Sequence, residues 1–109
     1  MGHRYTYQII DSLKLRKPKN KDDFCLEGIA QYIMTKTHPT EFMPLEKCKP
    51  KSKKDAHLQD CLYEYSPQIL KEFIDENGLD NSIKKIFSHS PIRKREILNI
   101  EKYFKRISK

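Results

Sequence analysis

The sequence predicts an all-α fold, a single compact bundle of about five or six helices. Two observations carry that prediction. Apolar residues recur three and four apart in successive segments, and no stretch alternates apolar with polar as a half-buried strand does. Helix-boundary signals, Ser-Pro twice and Asn-Gly once, stand where the apolar periods stop.

The elements follow in order. Residues 4–15 read as a first helix, with Tyr5, Ile9, Ile10 and Leu13 on one face. Pro18 and dense charge make 16–22 a loop. Asp22 or Asp23 is placed to cap a second helix by accepting an N–H of its first turn. That helix runs to about residue 36 on a stripe of Leu26, Ile29, Ala30 and Ile33, slightly weakened by Gly28. Pro39, Pro44 and Pro50 then enforce an irregular segment, whose Phe42, Met43 and Leu45 are expected to fold back on the core.

Ser52 and Asp55 resemble a capping box for a third helix, with Leu58, Cys61, Leu62 and Tyr65 inward. Ser66-Pro67 reads as a new start, Ser capping and Pro taking the first helical position. Ile69, Leu70, Phe73 and Ile74 form the face of the fourth helix, and Gly78 closes it in a left-handed conformation. Asp80 or Asn81 starts a short fifth helix carrying Ile83, Ile86 and Phe87. Ser90-Pro91 repeats the cap-plus-proline device. The last helix carries Ile97, Ile100, Phe104 and Ile107, spaced 3, 4 and 3. Tyr63 and Tyr103 flank these faces and are expected half-exposed. The whole, residues 1–109, is one domain: an N-terminal helical hairpin with a basic irregular loop over 1–50, then a bundle over 52–107.

Charge is unevenly placed. The net charge is +7. Residues 1–54 hold 12 Lys/Arg against 6 Asp/Glu, or +6, and residues 55–109 hold 10 against 9, or +1. The basic first half suits an acidic peptide or nucleic acid, or serves only to solvate the surface. There is no apolar run near the ~18 residues a membrane span needs, and no membrane partner is expected. No apolar signal-peptide core follows the N-terminus, so nothing argues for secretion.

Chemistry-bearing motifs are missing. The chain has no Gly-rich phosphate loop, no G-x-S-x-G and no H-E-x-x-H, so no enzyme is expected and no cofactor. His38, Cys48 and Asp60 make a conceivable triad, but nothing in the sequence places them together. Cys25, Cys48 and Cys61 lack C-x-x-C spacing and read as free thiols in a reducing compartment. His57 and Cys61 lie four apart with Cys48 nearby, yet a structural zinc site needs about four ligands, so no metal is expected.

The stretch "NGLDNSIKKIFSHS" and the helix after it resemble a known family. Gly78-Leu79 stands at a corner, Ile83 and Ile86 follow on a short basic helix, and His89 ends it. Ile97, Ile100, Phe104 and Ile107 then lie on the last helix. This pattern is similar to the N-terminal helical domain of the elongation factor TFIIS, shared with Elongin A, a Mediator subunit and Iws-type elongation factors. That family has a T-G-I-G-like corner and a last helix reading A-x-x-L-x-x-x-W-x-x-L. The likeness covers residues 52–107. Phe104 stands in place of the signature Trp, Asp80 replaces the second Gly of the corner, and the loop before the last helix is one residue shorter.

The resemblance implies a non-enzymatic docking module of a nuclear transcription factor, acting as a monomer. Its partners would be disordered segments that put aromatic side chains in an apolar groove and acidic ones beside it. Lys84 and Lys85 next to Phe87, with Arg93 and Lys94 across the Ser90-Pro91 corner, are the expected peptide-binding residues. The tract Lys47–Lys54 resembles a nuclear import signal. An alternative reading is a DNA-binding winged helix. In it the loop residues Arg16, Lys17, Lys19 and Lys21 touch phosphates, and "SIKKIFSHSPIRKREILNI" forms the wing hairpin.

Overall fold

The computed structural model describes residues 2–108. All regular structure among them is helical. The α-helices are α1 (Gly2–Ser12), α2 (Asp23–Thr35), α3 (Leu45–Cys48), α4 (Ser66–Asn77), α5 (Leu79–Phe87), α6 (Lys94–Leu98) and α7 (Ile100–Ile107). Short 3-10 turns stand at Asn20–Asp22 and Lys53–His57, and a π segment at Asp60–Tyr65. The wing hairpin is therefore not formed: residues 79–87, 94–98 and 100–107 are helices, as the three-and-four spacing of their apolar residues requires.

Helix α2 is the axis of the bundle. It packs against α1, α4 and the π segment, and buries Phe24, Cys25, Leu26, Gly28, Ile29 and Ala30. Gly28 does more here than weaken a helix. A Cβ at this position would stand 2.8 Å from Leu70 Cγ and closer still to Ser66 Oγ, so the missing side chain is what lets α2 and α4 approach. At the same crossing the Ser66 hydroxyl donates to the Phe24 carbonyl. One core joins the two halves of the chain, from Ile10 on α1 through Leu70 and Ile74 to Ile107 on α7.

Four boundaries differ from expectation, each for a local reason. Ser66 is helical, and the π segment runs straight into α4. The Ser66 N–H reaches back five residues to the Cys61 carbonyl. This wider turn makes room for Pro67, whose ring would otherwise strike the carbonyl four residues earlier. The third helix is broken at Leu58, which is extended (ψ 152°) and 55% exposed rather than inward. Gly78 has φ +85° but ψ 155°, so it is not left-handed helical. It is the one residue between α4 and α5: its N–H closes α4 on Ile74 O, and its carbonyl accepts the Ser82 N–H of α5. Ser90-Pro91 starts no helix. Instead α6 begins at Lys94, and Glu96 accepts the Arg93 N–H at 2.9 Å.

The last helix is interrupted at Asn99 (φ −132°, ψ 77°), and the break turns α7 relative to α6. Tyr103 is therefore buried, at 1% exposed, not half-exposed, and its hydroxyl meets Cys25 Sγ at 3.2 Å. Phe104 is half-buried and stacks on Phe73 with ring centroids 4.9 Å apart. Phe104→Ala should therefore cost only about 1–2 kcal/mol in urea unfolding, well below the loss of a fully buried ring. A cost near 4 kcal/mol would mean that Phe104 lies deeper than its packing on Phe73 implies.

Candidate functional site

Two arginines build one wall of the candidate site. Arg16, just after α1, forms two hydrogen bonds of 2.8 Å with Asp22, which is 1% exposed. Its Nε–H also donates to the His89 carbonyl, and its guanidinium lies 5.3 Å over the Phe87 ring. Arg106, on α7, holds both oxygens of Glu96 at 2.9 and 3.0 Å. The same guanidinium donates to the Ser90 and Pro91 carbonyls at 2.9 and 3.1 Å. Three consecutive carbonyls, 89–91, are thus held by side chains whose own charges are answered by buried carboxylates. Planar guanidinium forks suit this task, since each bonds a carboxylate and a carbonyl at once.

Burial acts to raise the pKa of Glu96. The hydrogen bonds from Arg106 and the Arg93 N–H, with the charges of both arginines, outweigh it and hold this carboxyl below its ordinary value.

This wall borders a cleft of about 590 Å³. Its floor is apolar: Phe24 from α2, Ala56 from the 3-10 turn, Leu62 from the π segment, and Ile92 and Ile97 around α6. Its rim is basic. Lys21, Arg93 and Lys94 line it from segments far apart in sequence, together with His57. Lys53 and Lys54 are exposed on the same turn as His57. Asp23 is the acidic residue on the lining. A space of this kind accepts a bulky apolar side chain and attracts negative charge flanking it.

The expected site residues are divided by the fold. Arg93 and Lys94 stand on the cleft rim, joined by Lys21, which the sequence assigned to a different site. Lys84 is exposed and Lys85 half-buried, donating to Asn77 Oδ1 at 3.0 Å. Both border a separate hollow of about 280 Å³ with His89 and Ile107. Phe87 is fully buried, at 0% exposed, beneath Arg16, so it is core and not a contact for a ligand. Arg16 is no phosphate contact either, because its fork is committed to Asp22 and the His89 carbonyl. Nor does Asp22 cap α2; its carboxylate takes Arg16 and the Lys19 N–H. Lys17, Lys19 and Lys21 remain exposed.

Sequence reasoning missed Phe24, Ala56 and Ile92 as parts of a site. Pro91 before Ile92 and Glu96 after Arg93 do signal an ordered, non-helical wall there, but nothing local shows that residues 20–24 and 56–57 face it.

The three cysteines are buried and unpaired. Burial, above all, raises the Cys25 and Cys61 thiols to about 12. The Cys48 thiol faces the Pro44 and Leu45 carbonyls, and His38 bonds Thr37, so each of these triad candidates has its own local partner. Among the described residues no group of three or more His, Cys, Asp and Glu is placed to hold a metal ion. No helix among them is long and apolar enough to cross a membrane. No family model, curated protein or solved structure matches the chain.

Proposed function

We propose that this chain is a non-enzymatic docking module that captures short acidic-aromatic segments of other proteins, in the manner of TFIIS N-terminal helical domains in nuclear transcription factors. The observation that supports it is the cleft: an apolar floor ringed by Lys21, Arg93 and Lys94. An aromatic side chain entering the floor would set residence time, and the basic rim would set the association rate. The site proposed here lies across α6 and the start of α2, not on the exposed face of α5. The chain acts as a monomer in this proposal, with one cleft per molecule.

The test is an NMR titration with a synthetic peptide of aspartate and phenylalanine. Amide shifts are expected at Lys21, Ala56, Ile92, Arg93 and Lys94. Lys21→Glu and Arg93→Glu should each weaken binding about tenfold, near 1.4 kcal/mol, without unfolding an exposed rim. Reversal of Lys84 and Lys85 should leave affinity unchanged. Shifts confined to residues 81–89 would move the site to the α5 hollow. If instead duplex DNA binds through Lys17, Lys19 and Lys21 with a steep salt dependence, while the peptide does not bind, nucleic acid is the partner.

A further inference from the structure

The chain carries two Ser-Pro pairs, and the fold treats them oppositely. Ser66 is fully buried inside a helix, its hydroxyl given to the Phe24 carbonyl. Ser90 is exposed, at the head of the non-helical run 90–93, and lines the basic-rimmed cleft. Pro91 follows it, and Arg93 and Lys94 stand three and four residues on. Protein kinases take their substrates extended, and Arg93 is already extended (φ −89°, ψ 152°). The carbonyls of 89–91 are held by the side chains of Arg16 and Arg106. Drawing this loop out, with Ile92 as its buried anchor, leaves the helices on either side in place. The opening releases the Arg16 and Arg106 bonds to these carbonyls, so the folded chain should be modified more slowly than a free peptide of the same sequence.

We propose that Ser90 is a phosphorylation site for a proline-directed protein kinase, and that its phosphate closes the cleft to acidic ligands. In the transfer, Ser90 Oγ forms a bond to the γ-phosphorus of a nucleoside triphosphate. The bond from that phosphorus to the β–γ bridging oxygen breaks, the nucleoside diphosphate leaves with the electron pair, and the hydroxyl proton passes to solvent. The product carries a charge near −2 at neutral pH. Arg106 lies beside it, 2.9 Å from the Ser90 carbonyl, and Lys21, Arg93 and Lys94 share the lining. Lys21, Arg93 and Lys94 with Asp23 give the lining about +2, and a phosphate near −2 brings it to about neutral, removing the attraction for an acidic ligand. The closing effect rests on the docking reading; the modification does not.

The experiment incubates the full folded chain with a proline-directed kinase and ATP, using a synthetic peptide of residues 86–97 as the rate reference. Mass spectrometry should find one phosphoryl group, at Ser90, with Ser66 unmodified and no gain in Ser90→Ala. A peptide that is modified beside a folded chain that is not, or no modification of either, overturns the proposal. In the phosphorylated chain the Nε–H resonances of Arg93 and Arg106 should move, and unmoved resonances overturn the placement of the phosphate. The aspartate-phenylalanine peptide should then bind at least about tenfold more weakly than to the unmodified chain. Equal affinity overturns the closing effect while leaving the docking reading intact. If the unmodified chain never binds the peptide, the docking reading and the closing effect both fail, and the masses and arginine resonances alone decide the modification.

Discussion

Arg106→Ala is expected to cost about 3–5 kcal/mol of stability, because it leaves Glu96 buried without its guanidinium partner. Glu96 is 4% exposed, and Arg106 meets both its oxygens. The same change frees the Ser90 and Pro91 carbonyls and uncovers the Tyr103 ring, over which the guanidinium lies at 5.6 Å. Arg106→Lys should recover only part of the loss, since one ammonium cannot span a carboxylate and two carbonyls in fork geometry. Urea unfolding measures both.

The pair also sets an acid limit. Glu96 has a folded pKa below its ordinary 4.5. Its contribution is therefore fully present above that value and is lost as pH falls through the folded pKa. Arg106→Ala leaves burial opposed only by Arg93, so the acid-dependent loss of stability below pH 4.5 should shrink in the variant. An acid arm as steep as in the parent would show that Glu96 does not depend on Arg106.

Gly28→Ala should destabilise the chain by about 1–3 kcal/mol, although alanine is the better helix former by roughly 1 kcal/mol. The new methyl would overlap Ser66 Oγ and press on Leu70 Cγ at 2.8 Å. Neither atom is the free end of a flexible chain. Ser66 is tied to Phe24, and Leu70 Cγ is a branch point in the core. Gly28→Leu should prevent folding, since forcing α2 and α4 apart opens the principal packing surface of a domain whose total stability is only about 5–15 kcal/mol. The readout is the thermal melt. A rise in melting temperature for Gly28→Ala would mean that helix propensity, not the α2–α4 approach, governs this position.

Much of the fold is legible in the sequence because burial writes a period into it. Ile10, Ile29, Leu70, Ile74, Ile83 and Ile86 fall on the helical faces their spacing predicts. What stays hidden is carried by charge and by breaks. Arg16 with Asp22 and Arg106 with Glu96 look like four more surface charges in a chain that is 34% charged. Their spacings, six and ten residues, are not helical-neighbour spacings, so no local rule pairs them. Phe87 reads as a contact residue only while Arg16 is imagined in solvent. The 3-4-3 pattern from Ile97 to Ile107 is real, but Asn99 splits it over two axes, and Tyr103 takes the buried position.

The cleft is half legible for the same reason. Arg93 and Lys94 can be proposed from their place beside Ser90-Pro91. That Lys21 stands opposite them depends on α2 returning across the bundle, which only the tertiary fold supplies.

The arginine-held wall has a kinetic side. Its contact from Arg16 to His89 spans 73 residues, whereas the α5 helix on which it rests closes through neighbours four apart. Contacts of such long range carry the greatest loop-closure cost and form late. The helices therefore have reason to assemble before the wall does. A refolding chain would then complete its helices before the carbonyls of 89–91 are drawn to their arginines. The cleft beside that wall would then take its final shape after the far-ultraviolet signal has finished changing.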